Sequence, residues 1–182
     1  MKWRVSLYFS IHIHLKDIAL LKLVQNTLGV GVVRKNSDRT VLFRVSSLEE
    51  LRVIIDHFDL YPLISVKNCD YLLFRQCYNL IKDKEHLTLE GFEKLLALKY
   101  NLNKGLSEEL KVYLNTVPVL KPEYIFKAIP HPYWISGFAS GDSSFIVSLE
   151  KSTTKVGTRV RLIFGTYLHL RDKGGRAPRP PY

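Results

Sequence analysis

The sequence predicts a mixed α+β fold built on antiparallel strands, with part of one structural unit recurring later in the chain. Three observations predict it. The N-terminal residues alternate strictly between apolar and polar. The stretch "HPYWISGFASGDSSFIVSL" (131–149) carries a helical pattern that hands over directly to a strand pattern. "RVSLYFSIHIHLKD" (4–17) returns as "RVRLIFGTYLHLRD" (159–172), with Arg, Val, Leu, Phe, His, Leu and Asp in register.

In the first segment Trp3, Val5, Leu7, Phe9, Ile11 and Ile13 fall on one side, and Arg4, Ser6, Tyr8, Ser10, His12 and His14 on the other. Period two over this length is a half-buried antiparallel strand. Next, "IALLKLVQNTLG" reads as an amphipathic helix over 18–28 with Gly29 as its C-cap. Residues 30–36 and 40–46 read as strands around a turn at "NSDR". "SLEELRVIIDHFD" opens on a capping box, Ser47 with Glu50. "YPLISVK" reads as a loop, because Pro62 blocks helix continuation. Residues 68–82 form a helix with a stripe of Tyr71, Leu72, Phe74, Tyr78 and Ile81. A further helix covers 88–101, and Ser107 caps a short one. "TVPVLKPEY" reads as a linker, with two prolines and little periodicity.

The repeat has an offset of 155 positions, from Arg4 to Arg159. Shifted back by that offset, the helix and strand of 131–149 would precede Met1. The expected organisation is therefore residues 1–116 as the remainder of a first unit, 117–130 as a linker, 131–173 as the start of a second, and 174–182 as a disordered tail.

The chain carries 27 Lys and Arg against 17 Asp and Glu, a net charge of +10 over 182 residues. That excess favours a polyanionic partner, nucleic acid first. No apolar run approaches the roughly 20 residues of a membrane-spanning helix. Cys69 and Cys77 give no disulfide framework or zinc pattern. His12 and His14 share a strand face, and without a third ligand nearby they read as exposed or DNA-facing. Cys77 reads as a core residue.

In "WISGFASGD", Gly137 and Gly141 lie four apart, on one helix face, where small residues admit close approach of another helix. Asp142 ends this helix beside unpaired carbonyls, where the helix dipole disfavours an acid. A divalent cation would reverse that sign, since carboxylate and carbonyl are hard oxygen ligands. Two such helices face to face would bring two carboxylates to a shared metal, an arrangement suited to phosphodiester hydrolysis. An Asp that merely closes a turn is the equally weighted alternative.

"WISGFASGDSSF" resembles the LAGLIDADG motif. With "FSIHIHLKD", "LGVG", "IIDHFDLYPLISVKNCDYLLF", "KEHLTLEGFEKLLALK" and "LNKGLS" in this order, the chain resembles a double-motif LAGLIDADG homing endonuclease of the fungal mitochondrial, intron-encoded type. The resemblance implies αββαββα units whose sheets form a saddle on duplex DNA, here with the first unit lacking its opening helix and strand and the second only begun. It implies Mg²⁺ as cofactor, held by Asp142, with Lys67 as a second catalytic residue. Arg4, Ser6, Tyr8, Ser10 and His12, and Ser148, Glu150, Arg159 and Arg161, would face DNA. Arg34, Lys35, Arg39, Lys151 and Lys155 would reach phosphates. The implied partners are double-stranded DNA and, in a maturase role, intron RNA; the implied location is the mitochondrion. Ser143 stands where the family usually has Gly. One acid leaves the paired site to be completed from upstream sequence or another chain, so weak or absent cleavage by this chain alone is expected. A splicing maturase and an inactive remnant are the competing readings.

Overall fold

The computed structural model describes residues 4–103, 105–113, 117–124, 128–129, 131–153 and 155–166. It divides into two units. The first takes in Met1–Leu63 and Lys67–Pro122, the second Glu123–Tyr182 together with Ile64–Val66.

In the first unit the described elements run β1 (Phe9–His14), α1 (Ile18–Leu28), β2 (Val32–Lys35), β3 (Thr40–Val45), α2 (Leu48–Leu60), α3 (Val66–Lys82), α4 (Leu89–Tyr100) and the single turn α5 (Glu108–Lys111). The sheet has the order β1-β3-β2, all antiparallel. Central β3 is buried on both faces in its middle, since Leu42, opposite His12 and Arg34, is 1% exposed. Val41, Phe43 and Val45 are fully buried with Leu21 of α1, Leu51, Ile54 and Ile55 of α2, and Tyr71 and Tyr78 of α3. Phe9, Ile11 and Ile13 join the same side from β1. A second cluster, Leu73, Cys77, Leu95, Leu98 and Leu102, holds α3 to α4.

The caps at Ser47 and Gly29 follow the predicted chemistry, whereas Ser107, expected to cap α5, makes no side-chain cap hydrogen bond. Ser47 Oγ accepts from the Glu50 amide at 3.2 Å. Thr88 Oγ1 accepts from the Gly91 amide at 3.0 Å. Gly29 ends α1 in the left-handed region at φ 69°. The turn at 36–39 closes through the Asn36 amide to the Thr40 carbonyl at 3.0 Å.

Three predicted features need correction. The ladder of β1 begins at Phe9, opposite Val45; residues 4–8 belong to no strand and have no ladder partner among the described residues. The cause is the partner strand, which turns away into α2 at Leu48. Val66 and Lys67 belong to the first turn of α3, not to a loop; Pro62 stops α2 but leaves the chain free to restart. The linker-like segment is pinned at its start, since the Val119 amide donates to the Ala97 carbonyl at 3.2 Å and Asn101 Nδ2 donates to the Val119 carbonyl at 2.8 Å. Predicted tail residues 174–182 lie outside the described residues.

The second unit holds α6 (Pro132–Asp142), β4 (Ser143–Lys151) and β5 (Thr158–Thr166). The helix passes into the strand without an intervening loop. β4 and β5 form an antiparallel hairpin in continuous register from Ser143 opposite Thr166 to Lys151 opposite Thr158.

Two tests follow. Gly31 has φ 79°, and a Cβ there would lie 2.7 Å from both Phe43 and Val45, whereas Gly29 faces open space. Gly29→Ala should lose about 1 kcal/mol for the left-handed backbone, and Gly31→Ala at least about 1 kcal/mol more through overpacking, read from urea unfolding. Tyr71 Oη donates to the Ile55 carbonyl at 3.0 Å and to the Asp59 carboxylate, which also pairs with Arg75 at 2.9 Å. Burial, then the Asp59 contact, pushes the Tyr71 phenol well above its ordinary range. The unfolded chain therefore releases this proton first. Stability held by the neutral phenol is complete below roughly pH 10 and falls as pH rises above it. Tyr71→Phe should flatten that alkaline loss in urea melts taken from neutral to strongly alkaline pH.

Candidate functional site

Helix α6 is opened by His131, whose Nδ1 accepts from the Tyr133 amide at 3.2 Å, and by Pro132 in its first turn. Ser140 Oγ donates back to the Ser136 carbonyl at 2.8 Å, so this hydroxyl is taken up by its own helix. Trp134 and Phe138 stack at 5.0 Å. No α6 residue is buried, and a Cβ added at Gly137 or Gly141 would meet nothing within 4 Å. The small-residue face is thus open among the described residues.

Asp142 is the last residue of α6 and is exposed. Ser143 follows in extended conformation. Asp142 and the carbonyls of the last helical turn form a set of hard oxygen donors, the kind Mg²⁺ accepts. They fit one arm of a metal site and not a whole one: among the described residues there is no cluster of three or more His, Cys, Asp or Glu side chains. The hydroxyls of Ser143 and Ser144 are buried without a hydrogen-bond partner.

The β4–β5 register sorts the side chains onto two faces. Ser148 opposes Arg161 and Glu150 opposes Arg159 on the polar face, where Arg161 Nε lies 3.4 Å from Glu150. Lys151 ends β4 on the other face, in line with Phe145, Val147 and Leu149, and Lys155 sits in the connecting turn.

The first unit has a matching polar face. Ser10 opposes Arg44, His12 opposes Leu42, and His14 opposes Thr40; from β2, Arg34 opposes Leu42. Arg44 places its guanidinium 4.4 Å above the Tyr8 ring, and its Nε is buried without a hydrogen-bond partner. Arg4 and Ser6 continue the run in the exposed, unladdered segment. Arg34 and Lys35, both expected to reach phosphates from a turn, are adjacent strand residues of opposite parity. Lys35 opposes Val41 on the other side and pairs with Asp38 at 3.0 Å. Arg39 is exposed in the turn. His14 Nδ1 accepts from the Lys16 amide at 3.2 Å.

Lys67 lies 3.8 Å from Asp70, which also takes Lys121 at 2.6 Å. Sequence reasoning missed Arg44, Asp70 and Lys121. Arg44 has the right parity in its strand, a signal that was there to be read. The pairing of Asp70 with Lys121 spans 51 residues and leaves no local trace. Cys77 is buried, and burial pushes its thiol up to about 11, which makes it inert.

The mixed helix and antiparallel sheet match the LAGLIDADG meganuclease fold. I-SmaMI, solved bound to an uncleaved DNA target in the presence of calcium ions, superposes with a TM-score of 0.89 at 42% identity, covering 94% of this chain and 60% of that one. The family model described as LAGLIDADG endonuclease matches residues 1–78. A Mycosarcoma maydis protein named "Probable intron-encoded DNA endonuclease aI1" is 32% identical over 88 residues, which are 47% of this chain and 73% of that protein. The chain belongs to the LAGLIDADG endonuclease family. A Neurospora crassa protein named "Probable intron-encoded endonuclease 3" is 37% identical over 169 residues, 89% of this chain but 31% of its own length. The chain thus spans less than two thirds of these longer relatives. Others are named for an ND4 intron and a cox1 intron.

The opposite parity of Arg34 and Lys35 makes a test. On the duplex-binding reading proposed below, Arg34→Ala should weaken binding in fluorescence anisotropy and lower the salt slope by about one unit. Lys35→Ala should leave the slope unchanged.

Proposed function

We propose that the chain acts in site-specific cleavage of double-stranded DNA, the reaction of an intron-homing endonuclease. The observation that carries this reading is Asp142, exposed at the tip of a helix with an open glycine face, directly ahead of a strand whose polar side carries Ser148 beside Arg159 and Arg161. Family membership and a DNA-bound relative support it.

In this reading Asp142 and the terminal carbonyls of α6 hold Mg²⁺ jointly with an acid from another segment or a partner chain. The metal supplies activation of water and neutralisation of charge on the leaving oxygen. The chain's own residues bind and orient. Arg4, Arg34, Arg39 and Lys155 anchor phosphates and set register, and carry no sequence information in that role, whereas Lys35 and Lys151 lie on the opposite strand faces. Ser6, Tyr8, Ser10, His12, Ser148, Arg159 and Arg161 present donors and acceptors to base edges in the wide groove. Lys67, held beside Asp70, adds positive charge near the scissile phosphate. The mitochondrion is the proposed location, in line with the intron-named relatives. Intron RNA is the second polyanion this surface suits, and only the cleavage reading requires Asp142.

Mg²⁺-dependent cleavage of a duplex library, with the complementing acid-bearing segment present, should fall by more than about a hundredfold in Asp142→Asn, the scale for losing one preorganised electrostatic stabiliser. Duplex affinity should stay within about threefold of the parent. Unchanged cleavage would remove the proposal.

A further inference from the structure

Lys67 and Asp70 lie three apart in α3 and so share a face of that helix. Lys67 Nζ is 3.8 Å from Asp70 Oδ2, and Lys121 Nζ is 2.6 Å from Asp70 Oδ1. Each oxygen of one carboxylate thus faces a different ammonium group. The side chains differ in cover: Asp70 is 15% exposed, Lys121 31% and Lys67 59%. Lys67 and Asp70 also line one cleft with Tyr8 and Ser10, which sets the carboxylate beside residues proposed to face DNA.

Lys121 is delivered to Asp70 by an anchored segment. Two residues earlier, the Val119 amide donates to the Ala97 carbonyl of α4, and Asn101 Nδ2 donates to the Val119 carbonyl. The chain here crosses from α4 to α3 on fixed points, so the Lys121 ammonium arrives with its backbone already placed.

A carboxylate with so little access to water must be met by a cation. A short charge-assisted hydrogen bond from a largely covered ammonium does this better than a longer contact from an exposed one. Lys121 therefore compensates Asp70, and Lys67 sits beside an acid whose charge is already met. One negative charge against two positive leaves the cluster net positive, and its most exposed member is Lys67. Without Lys121 the charges of Asp70 and Lys67 would cancel, and the acid would draw the Lys67 ammonium inward.

We propose that Lys121 is a positioning residue for Lys67: by holding Asp70, it leaves the Lys67 ammonium available to a phosphate of bound DNA. This rests on the function proposed above, which puts Lys67 near the scissile phosphate.

The test measures duplex binding by the full chain over a salt series in fluorescence anisotropy, where the slope counts the phosphates neutralised. Lys67→Ala should lower the slope by about one unit. Lys121→Met should lower it by about the same amount, through the withdrawal of Lys67. The two substitutions together should still lower it by about one unit, not about two. Adding Asp70→Asn to Lys121→Met removes the acid that draws Lys67 inward and should restore the parent slope. Lys121→Arg should keep the parent slope, because its guanidinium still meets Asp70. A role of Lys121 in folding alone would produce neither the shared loss nor the recovery. Circular dichroism melts check that each variant folds; where Lys121→Met does not, Lys121→Gln takes its place, since an amide can still donate to Asp70 without the charge. An unchanged slope in Lys67→Ala or in Lys121→Met, additive losses in the pair, or no recovery with Asp70→Asn would each overturn the proposal while duplex binding stands. A parent chain that does not bind duplex would overturn the function beneath it as well.

Discussion

The alternation of β3 is the constraint on which the first unit depends. Val41, Phe43 and Val45 must leave water, so α1, α2 and α3 have to lie on that side. Thr40, Leu42 and Arg44 then face the other way by geometry alone. A slip of one residue would exchange the faces, so burial of these three side chains pins the register of both neighbouring strands. The orientations of Ser10, His12 and Arg34 follow from that pin. The second face is a consequence of the core and is mixed: Leu42 is buried there between His12 and Arg34, and Arg44 Nε is buried without a hydrogen-bond partner among the described residues.

The second unit has the same two-faced sheet with less cover. Its β4–β5 hairpin is two-faced with one apolar pair, Ile146 opposite Ile163, on the side of Ser148 and Arg161, and Phe145, Leu162 and Phe164 remain exposed. A two-stranded hairpin is marginal alone in water, so an apolar face of this kind calls for an occupant. The α6 terminus carries the complementary electrostatic demand. Asp142 adds negative charge where the helix already presents carbonyl oxygens, an unfavourable choice unless a cation shares the site. On the proposed reading, a complementing segment and a metal would meet both demands.

The local features were legible early. Ser47 and Thr88 cap because a hydroxyl before a helical run satisfies a free amide within three residues. Gly29 ends α1 because only a residue without a side chain adopts its backbone cheaply. The passage from α6 into β4 was readable from the change in apolar period at Asp142. The extent of β1, the helical place of Lys67 and the anchoring of Val119 were not readable. Each depends on a neighbour distant in the chain: the turning away of β3, the restart of α3 after Pro62, and the contacts of Val119 with Ala97 and Asn101.

Residue order alone sufficed for the family, the duplicated strand and the acid at a helix end, since motifs, periods and caps are carried by neighbours in the chain. It left open which cations share a face. Arg34 and Lys35 are adjacent and chemically alike, and strand pairing sends them to opposite sides. Arg44 came to Tyr8, and Lys121 to Asp70, through folding alone. Such contacts arise when separate segments compete to bury their apolar sides, and no single segment encodes the outcome.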